Sequence, residues 1–480
     1  MVIEDINDFI SELEKNNELK RVQTQVDSNL EIAEIMRRQM YSNGPAILFE
    51  NIKDYQMPIL ANAFGSMKRL EIGLEMTDFK EIGQRIVEMT KMDIPSGILN
   101  KIKKLPELSK MTESFPKFET SGPVTEITSS SASFDDLPIL KSWPNDAGRF
   151  ITLGLVATNH PQTKIRNLGV YRIQILDGTH ALMHWQKHKR GAHHSEISKD
   201  KGEKIPTAII IGGDPATIFS SIAPVPEGLD KFLFAGITRK KGIKMVKCKT
   251  IDLEVPANAE IVLEGYVDPQ DLRDEGPFGD HTGYYTPVEP FPTFTLTGIM
   301  KRKNPIYVTT VVGKPILEDA YIGKVIEQSF LPLIRMFHPE VVDFSMPAAG
   351  WFQGLAIISI KKRYPGQAKK VMMGLWGMGQ LSLTKMFVVV DEDVNVHDMN
   401  EVIWAVTTRA DAARDTVIID NTPTDTLDPA SPLVNLGSKL GIDATQKTSE
   451  EGFVREIQKQ VKVDTETKNL VDSKWASYGL

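Results

Sequence analysis

The sequence predicts a mixed α/β protein whose centre is rich in β-strands. Between about residues 150 and 315, short runs of β-branched and apolar residues alternate with turn residues, as in a barrel or a sandwich. From about residue 320, such runs alternate with segments of helical periodicity, which is typical of βαβ units and favours a mostly parallel sheet. The length of 480 residues is enough for about two to four domains.

The first part of the chain, up to about residue 115, mixes helical patterns with short strands such as Ala46–Phe49. An amphipathic helix is predicted at the N-terminus, because apolar residues recur there at helical spacing. These residues are Ile6, Phe9, Ile10 and Leu13.

The other strands and helices follow from local patterns of the same kinds. The clearest central strands are predicted at 151–156, 170–175, 207–211, 261–264 and 293–297. In the C-terminal part, strands are predicted at 356–360, 386–390 and 416–419, and helices at 366–376 and 399–406. The residues after 447 are polar and charged, which predicts a helical or partly ordered tail.

Composition excludes several classes of function. The formal net charge of -7 disfavours a nucleic-acid partner, which normally needs a basic face. Cys248 is the only cysteine, so an internal disulfide is excluded and a reducing compartment fits. The N-terminus lacks the apolar core of a signal peptide, and no apolar run approaches the ~20 residues that span a bilayer. We therefore expect a cytoplasmic protein that would meet any membrane-borne substrate through a peripheral contact.

Residues 275–285, with the sequence EGPFGDHTGYY, are the most informative segment of the chain. Their glycines and proline disfavour a regular helix and predict a shaped loop. Glu275 and Asp280 place two carboxylates in this loop, and a general acid needs such a carboxyl near a second charged group that shifts its pKa. The alternative is a glycine-rich surface turn with solvated charges.

Five of the nine histidines lie close together in the sequence. They are His180, His184, His188, His193 and His194. The first three would share one face of a helix or one face of a strand, because their spacing of four fits both geometries. Neutral imidazole is a common metal ligand. A polar face without a ligand is the alternative.

Two further segments carry polar groups of chemical interest. In residues 166–172, Asn167 offers an amide oxygen suited to magnesium or manganese, and Arg172 can bind a carboxylate through two parallel hydrogen bonds. Residues 212–219 could present backbone amides to an anion at the start of a helix. A plain turn between a strand and a helix is the better interpretation of that second segment.

The order of these segments resembles the UbiD family of decarboxylases, which use prenylated flavin mononucleotide (prenylated FMN), from about residue 120 to 447. The full length and the C-terminal segments are most similar to the 3-polyprenyl-4-hydroxybenzoate decarboxylase branch. The matching segments are NLGVYR at 167–172, MHWQ at 183–186, GGDP at 212–215, APVP at 223–226, VKC at 246–248, LEVP at 253–256, EIVLE at 260–264, EGPFGDHTGYY at 275–285, VMMGLW at 371–376, DAARD at 411–415 and LGSKLGIDAT at 436–445.

The resemblance implies a role for each matching residue. Arg172, Glu275 and Asp280 would form the catalytic network, with Asp280 as the proton donor. The residues implied to bind the cofactor are Asn167, Val170, Tyr171, Arg172, Met183, His184, Trp185, His188 and Lys385. Asn167 and His188 would also ligate a divalent metal that connects the cofactor phosphate to the protein. The resemblance implies manganese for this metal, and K⁺ is a further candidate ion.

One position departs from the family pattern. A second metal-binding carboxylate is expected where this chain has Lys231. A shift in register would let Asp230 or Glu227 take that role, or the Lys231 ammonium would itself pair with the phosphate. The departure puts the metal in doubt more than the cofactor.

The resemblance also implies the architecture and partners. It divides the chain into an N-terminal α/β region (1–115), a split β-barrel that binds the flavin (116–318), a C-terminal α/β oligomerisation domain (319–447) and a tail (448–480). Family members form dimers to hexamers, and a separate prenyltransferase supplies their cofactor.

The expected reaction is the reversible decarboxylation of an aromatic or α,β-unsaturated acid. Loss of carbon dioxide leaves negative charge on an sp² carbon, and this charge needs an electron sink that side chains do not provide. The resemblance favours a 3-polyprenyl-4-hydroxybenzoate-type acid from quinone biosynthesis. The alternatives are the decarboxylation of anhydromevalonate phosphate in isoprenoid synthesis and, more remotely, a non-catalytic flavin- or metal-binding protein.

Overall fold

The computed structural model describes residues 3–91, 112–187, 189–225, 228–314, 317–455 and 460–479. Their helices and strands confirm the predicted mixed α/β class. The N-terminal part contains α1 (Ile6–Lys15), β1 (Leu19–Val22), α2 (Glu31–Tyr41), β2 (Ala46–Phe49), β3 (Ile59–Ala61), α3 (Met67–Leu74) and α4 (Lys80–Lys91). The apolar face predicted for α1 is buried, and Asp5 caps this helix by accepting a 2.9 Å hydrogen bond from the backbone of Asp8.

The central part supplies most of the strands. Its elements are β4 (Lys117–Phe118), β5 (Ile127–Ser129), β6 (Phe150–Asn159), β7 (Arg166–Ile175), β8 (His180–Met183), α5 (Arg190–Lys201), β9 (Ile205–Ile211), α6 (Pro215–Ile222), α7 (Lys231–Arg239), β10 (Lys244–Lys247), β11 (Glu254–Pro256), β12 (Ile261–Glu275), β13 (Glu289–Lys301) and β14 (Tyr307–Val308). The strands pair in the order β12-β9-β6-β7-β8-β13, and β13 pairs again with β12. These six strands therefore form a closed ring of pairings, and β14 joins the N-terminal strands in the order β1-β2-β3-β14.

The C-terminal part is a sheet with helices. Its elements are α8 (Glu318–Phe337), β15 (Val341–Ser345), β16 (Leu355–Ile360), α9 (Gln367–Trp376), β17 (Met386–Asp391), α10 (Met399–Arg409), β18 (Thr416–Pro423), β19 (Leu436–Asp443) and α11 (Thr465–Lys474). The prediction of a mostly parallel sheet was wrong for the outer strands, because β15 pairs antiparallel with β16 and β18 with β19. No α-helix separates the two strands of either outer pair, whereas α9 connects the parallel pair β16 and β17.

Two strands of the central ring position the candidate site. β7 carries Arg172, and β12 ends at Glu275, where the 275–285 loop begins. The loop leads to β13, which pairs with β12 along most of its length. Within the described residues, no helix combines the length and apolar character needed to cross a membrane.

Candidate active site

Arg172 lies in β7 beside a change in the pairing of β6 and β7. Ile173 pairs with Ile151, whereas Tyr171 pairs with Gly154, so β6 has one more residue than β7 in this interval. Such a bulge interrupts the regular alternation of side chains, and bulges are common beside active sites, where they redirect a side chain.

Two carboxylates hold the guanidinium of Arg172. Its Nε and Nη2 donate to Oε1 and Oε2 of Glu275 at 2.8 and 2.9 Å, and Nη1 donates to Oδ2 of Asp280 at 2.6 Å. Nδ1 of His184 lies 3.2 Å from Oε2 of Glu275. None of these four side chains is more than 8% exposed. We call Arg172, His184, Glu275 and Asp280 the carboxylate cluster.

The charges of this cluster follow from its contacts. Burial alone would raise the pKa of Glu275, but the hydrogen bond from His184 and the charge of Arg172 outweigh burial and lower this pKa to about 2. Burial and the Arg172 charge lower the pKa of His184. The imidazole is therefore neutral, with Nδ1–H donating to Glu275 and Nε2 left as an acceptor. Glu275 remains ionised and fixes the orientation of Arg172.

The 275–285 loop is anchored to the strands around it. Asp146 accepts a 2.8 Å hydrogen bond from the backbone N–H of Gly279, and Gln174 accepts one of 2.7 Å from Gly276. A Cβ atom on Gly279 would lie 2.3 Å from the indole ring of Trp143, so a larger residue does not fit there. These contacts fix the backbone on both sides of Asp280.

His281 stands next to Asp280 and was not predicted as a site residue. Its Nδ1 forms an ion pair with Asp319 in the first turn of α8, and its Nε2 lies 3.6 Å from Oδ1 of Asp280. Burial would lower the pKa of His281, but the charges of Asp319 and Asp280 outweigh burial and raise it to about 9. At neutral pH, an imidazolium therefore stands beside Asp280.

Asp425, from the C-terminal part, is a second residue that the sequence did not reveal. Its side chain is buried, and Oδ1 accepts a 2.9 Å hydrogen bond from the backbone of Leu427. Burial raises the pKa of Asp425, and the charges of Lys189, Asp280 and His281 also act on it. The C-terminal part thus presents a carboxylate to the centre of the site.

A second group of charges contains only cations. Nζ of Lys231 donates to the backbone oxygen of Ser221 at 2.8 Å, and Nη2 of Arg190 donates to that of Val225 at 2.7 Å. Burial, with the charges of Arg190 and Lys189, lowers the pKa of Lys231 to about 7. We call Lys189, Arg190 and Lys231 the cationic cluster.

Asn167 lies near the cationic cluster. Burial raises the pKa of the Tyr171 hydroxyl, while the backbone of Gly191, the side chain of Asn167 and the charge of Arg190 act in the opposite direction. These residues are therefore neighbours of one another, although Asn167 and Tyr171 come from β7 and the other two from α5.

The described residues around Asn167 do not fit the metal site that the family resemblance implies. Nowhere in the described ranges do three His, Cys, Asp or Glu side chains come close enough together to hold a metal ion. Oδ2 of Asp230 accepts a 2.7 Å hydrogen bond from Arg166, and Oδ1 caps α7 at 2.7 Å, so both oxygens have partners. Lys231 begins α7 with a cation in place of a ligand. His188 and Glu227 lie outside the described residues.

The clustered histidines do not share one face. β8 ends at Met183, so His180 lies in the strand and His184 follows it. His180 pairs with Asp177 at 3.0 Å, whereas His184 belongs to the carboxylate cluster. The expectation that one helix or strand would align them was wrong, because the chain leaves β8 between the two residues.

His193 and His194 lie on α5, where their rings approach that of His160. The ring centres of His193 and His194 are 5.9 and 5.1 Å from that of His160. Burial, together with the neighbouring imidazoles and Arg190, lowers the pKa of His194 to about 4. This group is separate from the carboxylate cluster.

Two other predicted segments have structural partners. Nζ of Lys385 lies 3.0 Å from Oδ2 of Asp428, within the C-terminal part. In the 212–219 segment, residues 212–214 form a turn between β9 and α6, and Asp214 caps α6 by accepting a 3.2 Å hydrogen bond from the backbone of Thr217. This is the plain turn that the sequence favoured.

The residues predicted to flank the flavin are consistent with a bound polar ring. Met183 and Trp185 are buried, and Val170 is partly buried. Nε1 of Trp185 and Nε2 of His184 are both buried and have no hydrogen-bond partner among the described residues. Buried polar atoms normally have partners, and a flavin carries both donors and acceptors, so the group fits this place.

The chain was then compared with known families. Models of the 3-octaprenyl-4-hydroxybenzoate carboxy-lyase N-terminal, Rift-related and C-terminal domains match residues 10–86, 117–315 and 320–444 in turn. The chain belongs to the UbiD family. The resemblance inferred from the sequence segments is therefore confirmed, and the UbiD family is one of carboxy-lyases.

Known relatives and solved structures agree with this membership. A protein of Archaeoglobus fulgidus is 51% identical over 476 residues, which cover 99% of this chain and 98% of the relative. The vanillic acid decarboxylase of Sedimentibacter hydroxybenzoicus in its closed form is 27% identical, with a TM-score of 0.87 and 99% of both chains covered. Its open form is 28% identical, with a TM-score of 0.78 over 99% of this chain and 100% of that one.

A second UbiD-class enzyme was solved with a flavin. HmfF from Pelotomaculum thermopropionicum, in complex with FMN, is 27% identical with a TM-score of 0.80, and the match covers 97% of this chain and 99% of that one. Of the two forms of the vanillic acid decarboxylase, the chain is more similar to the closed one, by TM-score.

Proposed function

We propose that this chain decarboxylates an aromatic or α,β-unsaturated carboxylic acid with prenylated FMN, and that its substrate is a 3-polyprenyl-4-hydroxybenzoate-type acid. The observation that carries the proposal is the buried contact of Arg172 with both Glu275 and Asp280. A protein that merely stored a flavin would not need a carboxyl group fixed beside a buried guanidinium. This argues against a non-catalytic binding protein.

The bound flavin would supply the electron sink for the charge left after carbon dioxide departs. The chain's own residues orient the acid. Glu275 accepts hydrogen bonds from Nε–H and from one Nη2–H of Arg172. Thr286 accepts a longer hydrogen bond of 3.2 Å from Nη2, and Asp280 accepts one from Nη1. Among the described contacts, one N–H on Nη1 is left to donate to the substrate carboxylate.

Asp280 is the proposed proton donor to the substrate carbon. Its side chain is held by Arg172 on one side and lies near the His281 imidazolium on the other. General acids of this kind contribute about 10²–10⁴-fold to a rate. The proton that Asp280 gives up is replaced from solvent, while His281, whose raised pKa keeps its ring protonated at neutral pH, holds a positive charge beside Asp280.

The test uses protein co-expressed with the prenyltransferase that makes the cofactor. Released small molecules are identified by absorption and mass spectrometry, and the loaded protein is then given prenylated hydroxybenzoates, unprenylated hydroxybenzoates, cinnamic acids and anhydromevalonate phosphate. We expect carbon dioxide release from the prenylated acids and, in D₂O, one deuterium at the carbon that lost its carboxylate. Bound prenylated FMN without release from any acid would contradict the proposed activity.

We also propose that the chain forms a homo-oligomer through its C-terminal part. α11 has no buried residue, and the tail exposes several large apolar side chains that a partner could cover. They include Val454, Val461, Val463, Leu470 and Trp475. Light scattering on the full chain and on residues 1–447 should show a larger assembly for the full chain, and equal masses would contradict this proposal.

A further inference from the structure

The cationic cluster brings together three positive charges from two separate segments. Lys189 and Arg190 lie at the start of α5, and Lys231 lies at the start of α7. Nζ of Lys231 and Nη2 of Arg190 donate to the backbone oxygens of Ser221 and Val225, which are four residues apart in the chain, so the starts of the two helices lie close together. Like charges that are partly buried together destabilise a protein unless an anion compensates them.

The described residues compensate this charge only in part. The hydrogen-bond acceptors of Lys231 and Arg190 are neutral backbone oxygens of Ser221 and Val225. Asp425 is the carboxylate that acts on Lys189, and burial raises its own pKa. Among the described residues, neither Lys231 nor Arg190 forms an ion pair with a carboxylate. The cluster therefore has an excess of positive charge that suits an anionic ligand.

The surroundings of the cluster suit a phosphate group. Lys189 is the N-cap residue of α5 and makes no side-chain capping bond, although the backbone N–H of Gly191 donates a long 3.4 Å hydrogen bond to the hydroxyl of Tyr171. Helix N-termini stabilise anions, and lysine and arginine side chains donate charge-assisted hydrogen bonds to phosphate oxygens. Trp185, with its unpartnered buried Nε1, packs against Tyr171 and the backbone of Gly191 beside this helix start.

A divalent metal fits the same place poorly. Both carboxylate oxygens of Asp230 already accept hydrogen bonds, and the next residue is Lys231. An ammonium group is not a metal ligand while it is charged, and its charge opposes the binding of a cation.

We propose that Lys231, together with Arg190 and Lys189, binds the phosphate of the flavin directly and replaces the metal that would otherwise connect this phosphate to the protein. The ligand class is a phosphate monoester dianion. The inference rests on the proposed function for the presence of a flavin, and it adds a metal-independent mode of holding that flavin.

The test measures the affinity of the purified full chain for FMN and for riboflavin, which lacks the phosphate, by quenching of flavin fluorescence. Titrations are made after treatment with EDTA and again with added Mn²⁺. We expect FMN to bind at least about tenfold more tightly than riboflavin, and we expect EDTA and Mn²⁺ to change neither affinity. This readout requires no substrate and no turnover.

Substitutions at Lys231 assign the effect to its charge. Lys231→Met should weaken FMN binding about tenfold and leave riboflavin binding unchanged, whereas Lys231→Arg should keep the preference for FMN. Lys240→Met is the matched control, because Lys240 is exposed at the other end of α7. Lys231→Glu should bind FMN tightly only when Mn²⁺ is present.

Two results would overturn the inference while the flavin itself still binds. One is a loss of FMN affinity in the unmodified chain after EDTA that Mn²⁺ restores. The other is an equal effect of Lys231→Met on FMN and riboflavin. If neither flavin binds to the folded chain at all, the proposed function fails as well, and the two failures are therefore distinguishable.

Discussion

The carboxylate cluster and the cationic cluster lie in one site but differ in how fully their charges are paired. Arg172 has two carboxylate partners at 2.6–2.9 Å, and the imidazole of His184 contacts one of them. In the cationic cluster, Lys231 and Arg190 donate to neutral backbone oxygens. The first cluster can therefore hold its geometry without a ligand, whereas the second gains its compensating charge when an anion binds.

The two clusters therefore have different roles within the site. A paired and buried network keeps catalytic groups in position, because each group is held by the others. An unpaired cluster contributes binding energy to a ligand of opposite charge. Substitutions in the carboxylate cluster should therefore change turnover and stability, and substitutions in the cationic cluster should change flavin affinity.

The largest effect is expected from Asp280→Asn. Loss of the proposed acid should lower the rate of carbon dioxide release by about 10²–10⁴-fold. The amide keeps the size of the side chain, so bound flavin, measured by absorption at equal protein concentration, should be unchanged. Asp274→Asn is the control, because Asp274 is exposed on the same strand as Glu275. Normal turnover in Asp280→Asn would exclude this residue as the proton donor.

Glu275→Gln should lower both activity and stability. The substitution removes one of the two carboxylates that compensate the buried Arg172 and weakens two charge-assisted hydrogen bonds, each worth about 1.5–3 kcal/mol. The thermal midpoint should fall clearly below that of the unmodified chain at pH 7. Glu289→Gln is the control, because Glu289 is the cross-strand neighbour of Glu275 on β13.

The difference in thermal stability between Glu275→Gln and the unmodified chain should depend on pH. The folded chain lowers the pKa of Glu275 from 4.5 to about 2. The contribution of the ionised Glu275 to the free energy of unfolding is therefore fully present above about pH 4.5. The contribution is lost as the pH falls from 4.5 through 2, so the difference in thermal midpoint between the two proteins should narrow in that range. A constant difference down to pH 2 would contradict the low pKa.

Much of the fold could be predicted from local sequence patterns. The helix predicted at 366–376 is α9 (Gln367–Trp376), and the strand predicted at 386–390 is β17 (Met386–Asp391), because periodicity and β-branched residues act over short distances. The direction in which neighbouring strands pair was harder to predict from the sequence. β18 and β19 pair antiparallel because of the way the chain turns between them, and no local pattern in either strand specifies this.

The candidate site, like the fold, was only partly predictable from the sequence. Arg172, Glu275 and Asp280 could be named from their segments, and the structure brings the three together. Asp319 and Asp425 lie in segments without a recognisable motif and reach the site only through tertiary packing. Neither residue is close to His281 in the sequence, and Glu318 and Asp319 together look like the acidic residues that are common in the first turn of a helix, so their positions gave no signal.

His281→Gln tests the charges that the sequence did not reveal. The folded chain raises the pKa of His281 from 6.5 to about 9, so the ion pair with Asp319 stabilises the protein fully below about pH 6.5. This contribution to the free energy of unfolding, of the order of 3 kcal/mol, is lost as the pH rises from 6.5 through 9. The thermal midpoint of the unmodified chain should exceed that of the variant at pH 6 and approach it by pH 10.

The control for this experiment is His180→Gln, because His180 also pairs with an aspartate but lies closer to the surface. The control should show a much smaller difference at every pH. A difference for His281→Gln that stays constant from pH 6 to pH 10 would show that packing of the ring, and not its charge, stabilises the loop.

The smallest effect is expected from Asp425→Asn. Asp425 comes from the C-terminal part and acts both on Lys189 in the cationic cluster and on Asp280 in the carboxylate cluster. Removal of one charge at such a contact costs about 1 kcal/mol, which corresponds to a change of several-fold in an equilibrium. We therefore expect KM to rise several-fold and kcat to change less, as measured in steady-state assays of carbon dioxide release.

Asp420→Asn, which alters an exposed carboxylate of the same part, is the matched control and should leave KM unchanged. If Asp425→Asn lowered kcat as strongly as Asp280→Asn, Asp425 would belong to the proton-transfer machinery. If it changed only FMN affinity, Asp425 would act through Lys189 alone. A rise in KM with flavin affinity preserved would mean that the C-terminal part helps to enclose the substrate, because the carboxylate then acts when the acid is bound and not when the cofactor binds.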